Sequence, residues 1–257
     1  AIASGGTYTI NVNDFIIPNG ASDPYVNTVE VFADFDPEGT GGGVLPNTYE
    51  ASAQWRTNLF QPSIGVTKVG DGLSKIGDAV DYVITVSNTS SADTPTMYFD
   101  IVDAQLGINE QDVAIASGGT YTINVNDFII PDDASDPYVN TVDVFADFDS
   151  SGTGGGDFLN TYEASARWET DLAQPSIAVT KEGDGLSKIG DPVDYVITVY
   201  NNSSTDTPTM YFDIVDAQLG INEQDVAIAS GGTYTINVND FIIPNGASDP
   251  YVNTVEV

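Results

Sequence analysis

DAVDYVITVSN, residues 78–88, alternates along its length: Tyr82, Ile84 and Val86 on one phase, Asp81, Val83, Thr85 and Ser87 on the other. A period of two with β-branched and aromatic residues is the signature of a half-buried strand. The same pattern extends in both directions. Ser63–Val69 places Ile64 and Val66 on one face, and Thr96–Asp103 places Met97, Phe99 and Ile101 in phase. Thr120–Ile130 alternates Tyr121, Ile123 and Val125 with Thr120, Thr122, Asn124 and Asn126. Tyr138–Phe148 aligns Val142, Val144 and Ala146, and Thr161–Glu169 aligns Tyr162, Ala164, Ala166 and Trp168. A short seventh strand is expected near Val113–Ala116. Gly, Pro, Asn and Asp separate these runs, and no segment has a helical period. Six or seven antiparallel strands in about 100 residues predict an all-β fold, a Greek-key sandwich of immunoglobulin type.

That block is repeated. AIASGGTYTINVNDFIIP begins at Ala1, Ala114 and Ala227, so the period is 113, the step from 1 to 114 and from 114 to 227. Residues 61–144 match 174–257 at 75 of 84 positions, and 1–60 match 114–173 at 48 of 60. Differences such as Gln54/Arg167, Arg56/Glu169 and Asp143/Glu256 fall on outward phases. The expected division is 1–60, the C-terminal part of one repeat; 61–173, a complete repeat; and 174–257, a repeat lacking its last strand. Residues 1–31 are identical to 227–257, an overlap expected of a window within a longer array. Phe60-Gln61-Pro62 and Ala173-Gln174-Pro175 read as short hinges, where proline stops strand continuation. Tandem arrays characteristically do mechanical or display work.

Composition narrows the function. The formal net charge is −32, from 38 acidic residues against four Lys and two Arg. Phosphate repulsion excludes nucleic acid as a partner and disfavours anionic membrane surfaces. Apolar residues make up 41% of the chain, enough for a core in each repeat. There is no Cys and no His, so disulfides, His-based catalysis and His-ligated zinc are absent. No apolar run reaches the roughly 18–20 residues of a membrane span.

PSIGVTKVGDGLSKIGDAVDYVITVSNTS (62–90), TMYFDIVDAQLG (96–107), GGTYTINVN (118–126) and YVNTVDV (138–144) together resemble the DUF11-type repeat. That family comprises Ig-like modules arranged in tandem in very large prokaryotic surface proteins. The resemblance covers most of each repeat. It departs where Ala104-Gln105-Leu106-Gly107 stands in place of a Leu-Pro pair, and around Gly152–Gly156. It implies a non-enzymatic, extracellular or cell-surface structural role in a fibre, stalk or surface layer. The partners would be other copies of the protein or adjacent repeats. The alternative is an adhesin stalk that recognises a glycan or cell surface through its loops, although the outward aromatics Phe145 and Phe148 are too few to mark a pocket. Asp100 and Asp103 lie on opposite strand phases, so they cannot act as a catalytic dyad.

The scarce lysines are informative. Lys68 continues the inward phase of Ile64 and Val66, and Lys181 that of Ile177 and Val179. Asn140 is in phase with Val142 and Val144, and Asp103 with Phe99 and Ile101. A buried ammonium needs a partner, so one reading is a buried Lys–Asp ion pair, and another a Lys that snorkels out at the strand end. A similar trio occurs in Gram-positive pilin and adhesin modules, where Lys and Asn condense into an isopeptide bond assisted by a buried acid. By that resemblance Lys68 would join Asn140 with Asp103 as the acid (Asp100 in reserve), and Lys181 would join Asn253 with Asp216. Burial would lower the amine pKa and raise the acid's.

Three other features are candidates. Asp34, Asp36 and Glu38, and Asp147 and Asp149, form D-x-D-x-x-G patterns resembling the front half of a calcium loop. Asp71 with Asp78 or Asp171 is a second calcium candidate. The plain alternative is an acidic turn. The Gly39–Gly43 run lacks the context of a phosphate cradle. Asn88-Thr89-Ser90 and Asn201-Asn202-Ser203 are N-glycosylation sequons, expected to be accessible at a strand-to-loop transition.

Overall fold

A computed structural model of the chain describes residues 1–36, 49–150 and 161–257. Every regular element among them is a β-strand. The chain divides into two compact units: Ala1–Ser63 with Ser90–Thr94, and Ile64–Thr89 with Pro95–Val257.

In the first unit, β1 (Tyr25–Ala33) and β2 (Tyr49–Thr57) form an antiparallel hairpin, in register from Tyr25↔Thr57 to Ala33↔Tyr49. Residues 1–24 join no strand. Gln61 and Ser63 donate their backbone N–H groups to the hydroxyls of Ser91 (2.8 Å) and Ser90 (2.9 Å).

The second unit opens on most of the expected complete repeat, 61–173. Its strands are β3 (Ile64–Gly70), β4 (Leu73–Ser74), β5 (Ala79–Asn88), β6 (Met97–Asp103), β7 (Ile108–Ile115), β8 (Thr120–Ile129), β9 (Tyr138–Asp147) and β10 (Tyr162–Leu172). They form two sheets, β3-β5-β8 and β4-β10-β9-β6-β7. Inward phases pack into a core of Ile84, Val86, Met97, Phe99, Ile101, Val142 and Val144. The strict alternation of buried residues along β6 and β9 follows from the pleat, which sends successive side chains to opposite faces. The expected short strand near Val113–Ala116 is longer, running from Ile108 to Ile115 and paired to β6. The two-residue β4, parallel to β10, was not legible in the alternation.

The remaining strands are β11 (Ile177–Gly183), β12 (Pro192–Asn201), β13 (Met210–Asp216), β14 (Ile221–Ile228) and β15 (Thr233–Ile242). They pair as β11-β12-β15 and β13-β14. The β12–β15 register reproduces that of β5–β8 one repeat later, including the bulge between Val193 and Tyr195 that mirrors Val80/Tyr82. At that bulge Asp127 has φ 55°. Aspartate tolerates this left-handed conformation, and the Asp127 N–H donates to the Asp81 carboxylate at 2.8 Å.

The expected hinge at 173–175 is strapped on both sides. Ala173 N–H donates to the Ser74 carbonyl at 2.8 Å, and Gln174 N–H to the Ser204 hydroxyl at 2.8 Å. The Asp136 carboxylate accepts from Leu172 N–H (3.0 Å) and from the Gln174 amide (3.2 Å).

Gly70 shows how closely β3 and β5 meet: a Cβ there would stand 2.6 Å from the Tyr82 ring and 2.7 Å from the Asp81 carbonyl oxygen. Gly70→Ala is therefore expected to destabilise by about 1–3 kcal/mol, since overpacked sites must shift backbone or ring. A urea unfolding midpoint equal to wild type would contradict this.

Candidate functional site: a buried lysine, aspartate and asparagine

Lys68, Asp103 and Asn140 come from β3, β6 and β9, so the lysine belongs to one sheet and its partners to the other. All three are buried, at 4%, 1% and 0% exposure. Lys68 Nζ donates to Asp103 Oδ2 at 2.5 Å and lies 4.9 Å from the centre of the Tyr82 ring. Asp103 Oδ1 accepts from the Asn140 amide at 3.1 Å and from Leu106 N–H at 3.1 Å. The Asn140 amide also donates to Gln105 Oε1 at 3.0 Å. Its carbonyl oxygen Oδ1 is buried with no partner.

This arrangement has a direct electrostatic consequence. Removal from water lowers the Lys68 pKa below its ordinary 10.5, against the opposing pull of the hydrogen bond and charge of Asp103. Transfer of the Lys68 proton to Asp103 would leave a neutral amine and a neutral acid side by side. An amine in that state is a nucleophile, and an acid in that state can donate to an amide carbonyl.

The second copy is built alike but more open. Lys181 pairs with Asp216 and lies 5.0 Å from the Tyr195 ring centre. Asp216 Oδ1 accepts from Gln218 N–H, Leu219 N–H and the Asn253 amide at 3.0–3.1 Å. Asn253 Oδ1 is again buried without a partner. The Lys181 side chain keeps 13% exposure against 0% for Lys68. Residues 174–257 contain no counterpart of β10, the strand that lies across β3 in the complete module.

Here the expectation of a raised acid pKa fails. Burial pushes Asp216 up, but hydrogen bonds from Lys181, the Leu219 backbone and Asn253 outweigh it and hold the carboxyl below its ordinary 3.8. For a carboxyl depressed on folding, the stabilisation is present above the unfolded value and lost as pH falls through the folded one. The module is thus expected to lose this contribution only below pH 3.8. The Asp216 carboxyl carbon, followed by NMR through acid titration, should move after those of exposed aspartates; simultaneous movement would contradict the site.

Two members of the site escaped sequence reading. Gln105 and Leu106 sit where the chain departs from the DUF11 pattern, and that departure was the available signal. Tyr82 was assigned inward, but only the fold places its ring beneath the ammonium. Asp100, the reserve acid, faces outward and accepts from Asp112 N–H at 3.0 Å; it takes no part.

The other candidates fare differently. Asn88 and Asn201 are not accessible: they are 1% and 0% exposed, and their amides donate to the carbonyls of Ile115 and Ile228 at 2.8 Å. Each asparagine closes the inward phase of its strand, so a glycan on that nitrogen has no room in the folded module. Asp34 and Asp147 each accept the N–H two residues on, from Asp36 (2.9 Å) and Asp149 (2.8 Å), the geometry of an acidic turn. Glu38 and Gly39–Gly43 lie outside the described residues. Asp78 is paired with Lys75, and Asp71 accepts from Asp81 N–H at 2.9 Å. No group of three or more acidic side chains placed to hold a metal ion occurs among the described residues. Phe148, read as outward, packs on the core edge against Tyr162.

No protein-family model, no curated protein and no solved structure matches this chain. Among the described residues no helix is long and apolar enough to cross a membrane.

Proposed function

We propose that this chain is a load-bearing segment of an extracellular fibre, stalk or surface layer, built from tandem Ig-like Greek-key modules of the DUF11 type it resembles. In this reading an isopeptide bond between Lys68 and Asn140 closes the complete module. The observation that carries the proposal is the burial of Lys68, Asp103 and Asn140 together between the two sheets. The strand order supports the Ig-like assignment, since β6, β9 and β10 are neighbours as strands C, F and G are in that sandwich.

The reaction uses only groups within the site. The Lys68 proton passes to Asp103. The Asp103 O–H then hydrogen-bonds the Asn140 carbonyl, after rotation of the amide brings Oδ1 to the acid. Neutral Nζ attacks Cγ of Asn140; the new C–N bond forms as the C–Nδ2 bond breaks. Ammonia departs, taking up a proton released from Nζ.

Such a bond would matter mechanically. The module's chain enters at β3 and leaves at β10, and a β3–β9 link transmits tension past the residues between 68 and 140. That segment is then shielded from forced unfolding, which suits a stalk. The net charge of −32 favours solubility and repulsion between side-by-side fibres.

Intact mass of the full chain tests the proposal. The expected result is the loss of one ammonia, with a cross-linked peptide joining Lys68 and Asn140 after digestion. A mass equal to that of the encoded sequence would overturn the isopeptide.

A further inference from the structure

Gln105 touches the amide of Asn140, yet the reaction set out above gives it no part. It stands in the turn between β6 and β7. Asp103 Oδ1 accepts from Leu106 N–H at 3.1 Å, which closes that turn and carries the intervening Gln105 to the edge of the site. There Gln105 Oε1 accepts from the Asn140 amide at 3.0 Å. Asn140 Nδ2 therefore sits between two oxygens, this one and Asp103 Oδ1 at 3.1 Å. Asn140 Oδ1 has no donor, although the residue is 0% exposed, and a buried oxygen left unpaired is costly. The same arrangement recurs one repeat later. Asn253 donates to Asp216 at 3.0 Å and to Gln218 at 2.7 Å, and its Oδ1 is again unpartnered.

Aspartate and glutamine share a property that suits these two places. A carboxylate only accepts, whereas a protonated carboxyl donates; an amide presents an acceptor at one end and a donor at the other. While Lys68 is charged and Asp103 ionised, Asn140 must turn its N–H groups towards both. Once the Lys68 proton has passed to Asp103, the polarity of that contact reverses, and an oxygen fits where Nδ2 stood. The second contact reverses when the Gln105 amide turns over. It has room to do so, because Gln105 borders a cavity of about 350 Å³ with Phe128, Ser135 and Tyr138.

We infer that Gln105 is a catalytic residue of the cross-link, the second donor to the oxyanion that forms on Asn140. In the reacting orientation the Asp103 O–H and the Gln105 Nε2–H both point at Asn140 Oδ1. As neutral Nζ bonds to Cγ, the electron pair of the C=O bond moves onto Oδ1, where the two donors hold the charge. The pair returns as the C–Nδ2 bond breaks, and Nδ2 takes a proton from Nζ and leaves as ammonia. Nδ2 then occupies the place in which Oδ1 had no partner, so no hydrogen bond retains the leaving group. Donors aimed beforehand at the place where charge develops are a large source of rate in acyl transfer. This role rests on the isopeptide reading and names a group on which its rate depends.

The test follows the full chain after cell-free synthesis. Translation is stopped, and the peptide joining Lys68 and Asn140 is measured against time. Gln105→Leu is expected to slow its appearance at least tenfold, since one oxyanion donor is worth about a hundred- to a thousandfold in rate. Gln105 is exposed, so the change should leave the module folded, as circular dichroism would record. Gln105→Glu separates donation from simple positioning. An ionised glutamate still accepts from Asn140 Nδ2 but has no proton to give, so this variant should also be slow at neutral pH. Its rate relative to wild type should rise as pH falls towards about 4.3, the ordinary glutamate value, where the acid form donates again. A residue that merely held Asn140 in place would give no such profile. Wild-type rates in both variants, or a Gln105→Glu ratio that does not change with pH, would overturn the role of Gln105 and leave the isopeptide standing. A wild-type chain that keeps its encoded mass would overturn both.

Discussion

Asp103→Asn is expected to stop ammonia loss from the complete module and to lower its unfolding free energy by about 3–5 kcal/mol, the range for removing one partner of a buried ion pair. The asparagine keeps the shape of the side chain but not its charge. It leaves the Lys68 ammonium, 4% exposed, with no counter-ion, and removes the acid that polarises Asn140. A double variant, Lys68→Met with Asp103→Leu, separates the two effects. Replacing both charges by apolar groups of similar size is often nearly neutral, so the double variant should recover much of the stability but none of the mass change. Urea unfolding followed by tryptophan fluorescence, with intact mass on the same samples, gives both readouts. An Asp103→Asn midpoint equal to wild type would show that Lys68 does not depend on this acid.

Phe99→Ala is expected to cost about 3–5 kcal/mol, the usual range for emptying a buried aromatic site. Phe212→Ala, the same change one repeat later, should cost clearly less. Phe99 is 0% exposed and packs in a core with Val142, Val144 and Ala146 from β9. Phe212 is 4% exposed, and of the corresponding segment only Val255 packs against its cluster. The cavity left by the smaller side chain is less confined in the second case. Hydrogen exchange read by peptide can follow each copy, because the positions that differ between repeats make the peptides distinguishable. Equal loss of protection in β5 and β12 would contradict the difference in packing.

Much of the site was legible before any fold was known, because β-strand phase is a strong constraint. Lys68, Asp103 and Asn140 each share a phase with apolar neighbours. In a sheet with one buried face that suffices to send all three inward. Phase does not say which inward residues meet. Lys68 meets Asp103 because β3 and β6 belong to opposing sheets, and Asn140 joins them because β9 is hydrogen-bonded to β6. The sequons were misjudged for a related reason. Asn88 ends a strand, which suggested exposure, yet it keeps the inward phase of Val86 and is held by the carbonyl of Ile115. Alternation outlasts the last apolar residue.

One segment separates the two levels. AIASGGTYTINVNDFIIP occurs three times, unchanged. At 114–131 and 227–244 its Thr-Tyr-Thr-Ile core is strand β8 or β15, paired to β5 or β12; at 1–18 it forms no strand, and Tyr8, Ile10 and Val12 are 73–75% exposed. YVNTVEV behaves in the opposite sense: at 25–31 it lies within β1, paired to β2, while at 251–257 only Glu256 makes a bridge. Sequence alone determined the period, the phase of the strands other than β4, the positions of the turns and the inward direction of Lys68 and Lys181. These depend on local alternation and backbone preference, which travel with the residues. Whether a segment becomes a strand, and whether its inward face is dry, was decided by tertiary structure. A strand's hydrogen bonds and half of its apolar contacts belong to its neighbour, and identical residues remain exposed where that neighbour is missing.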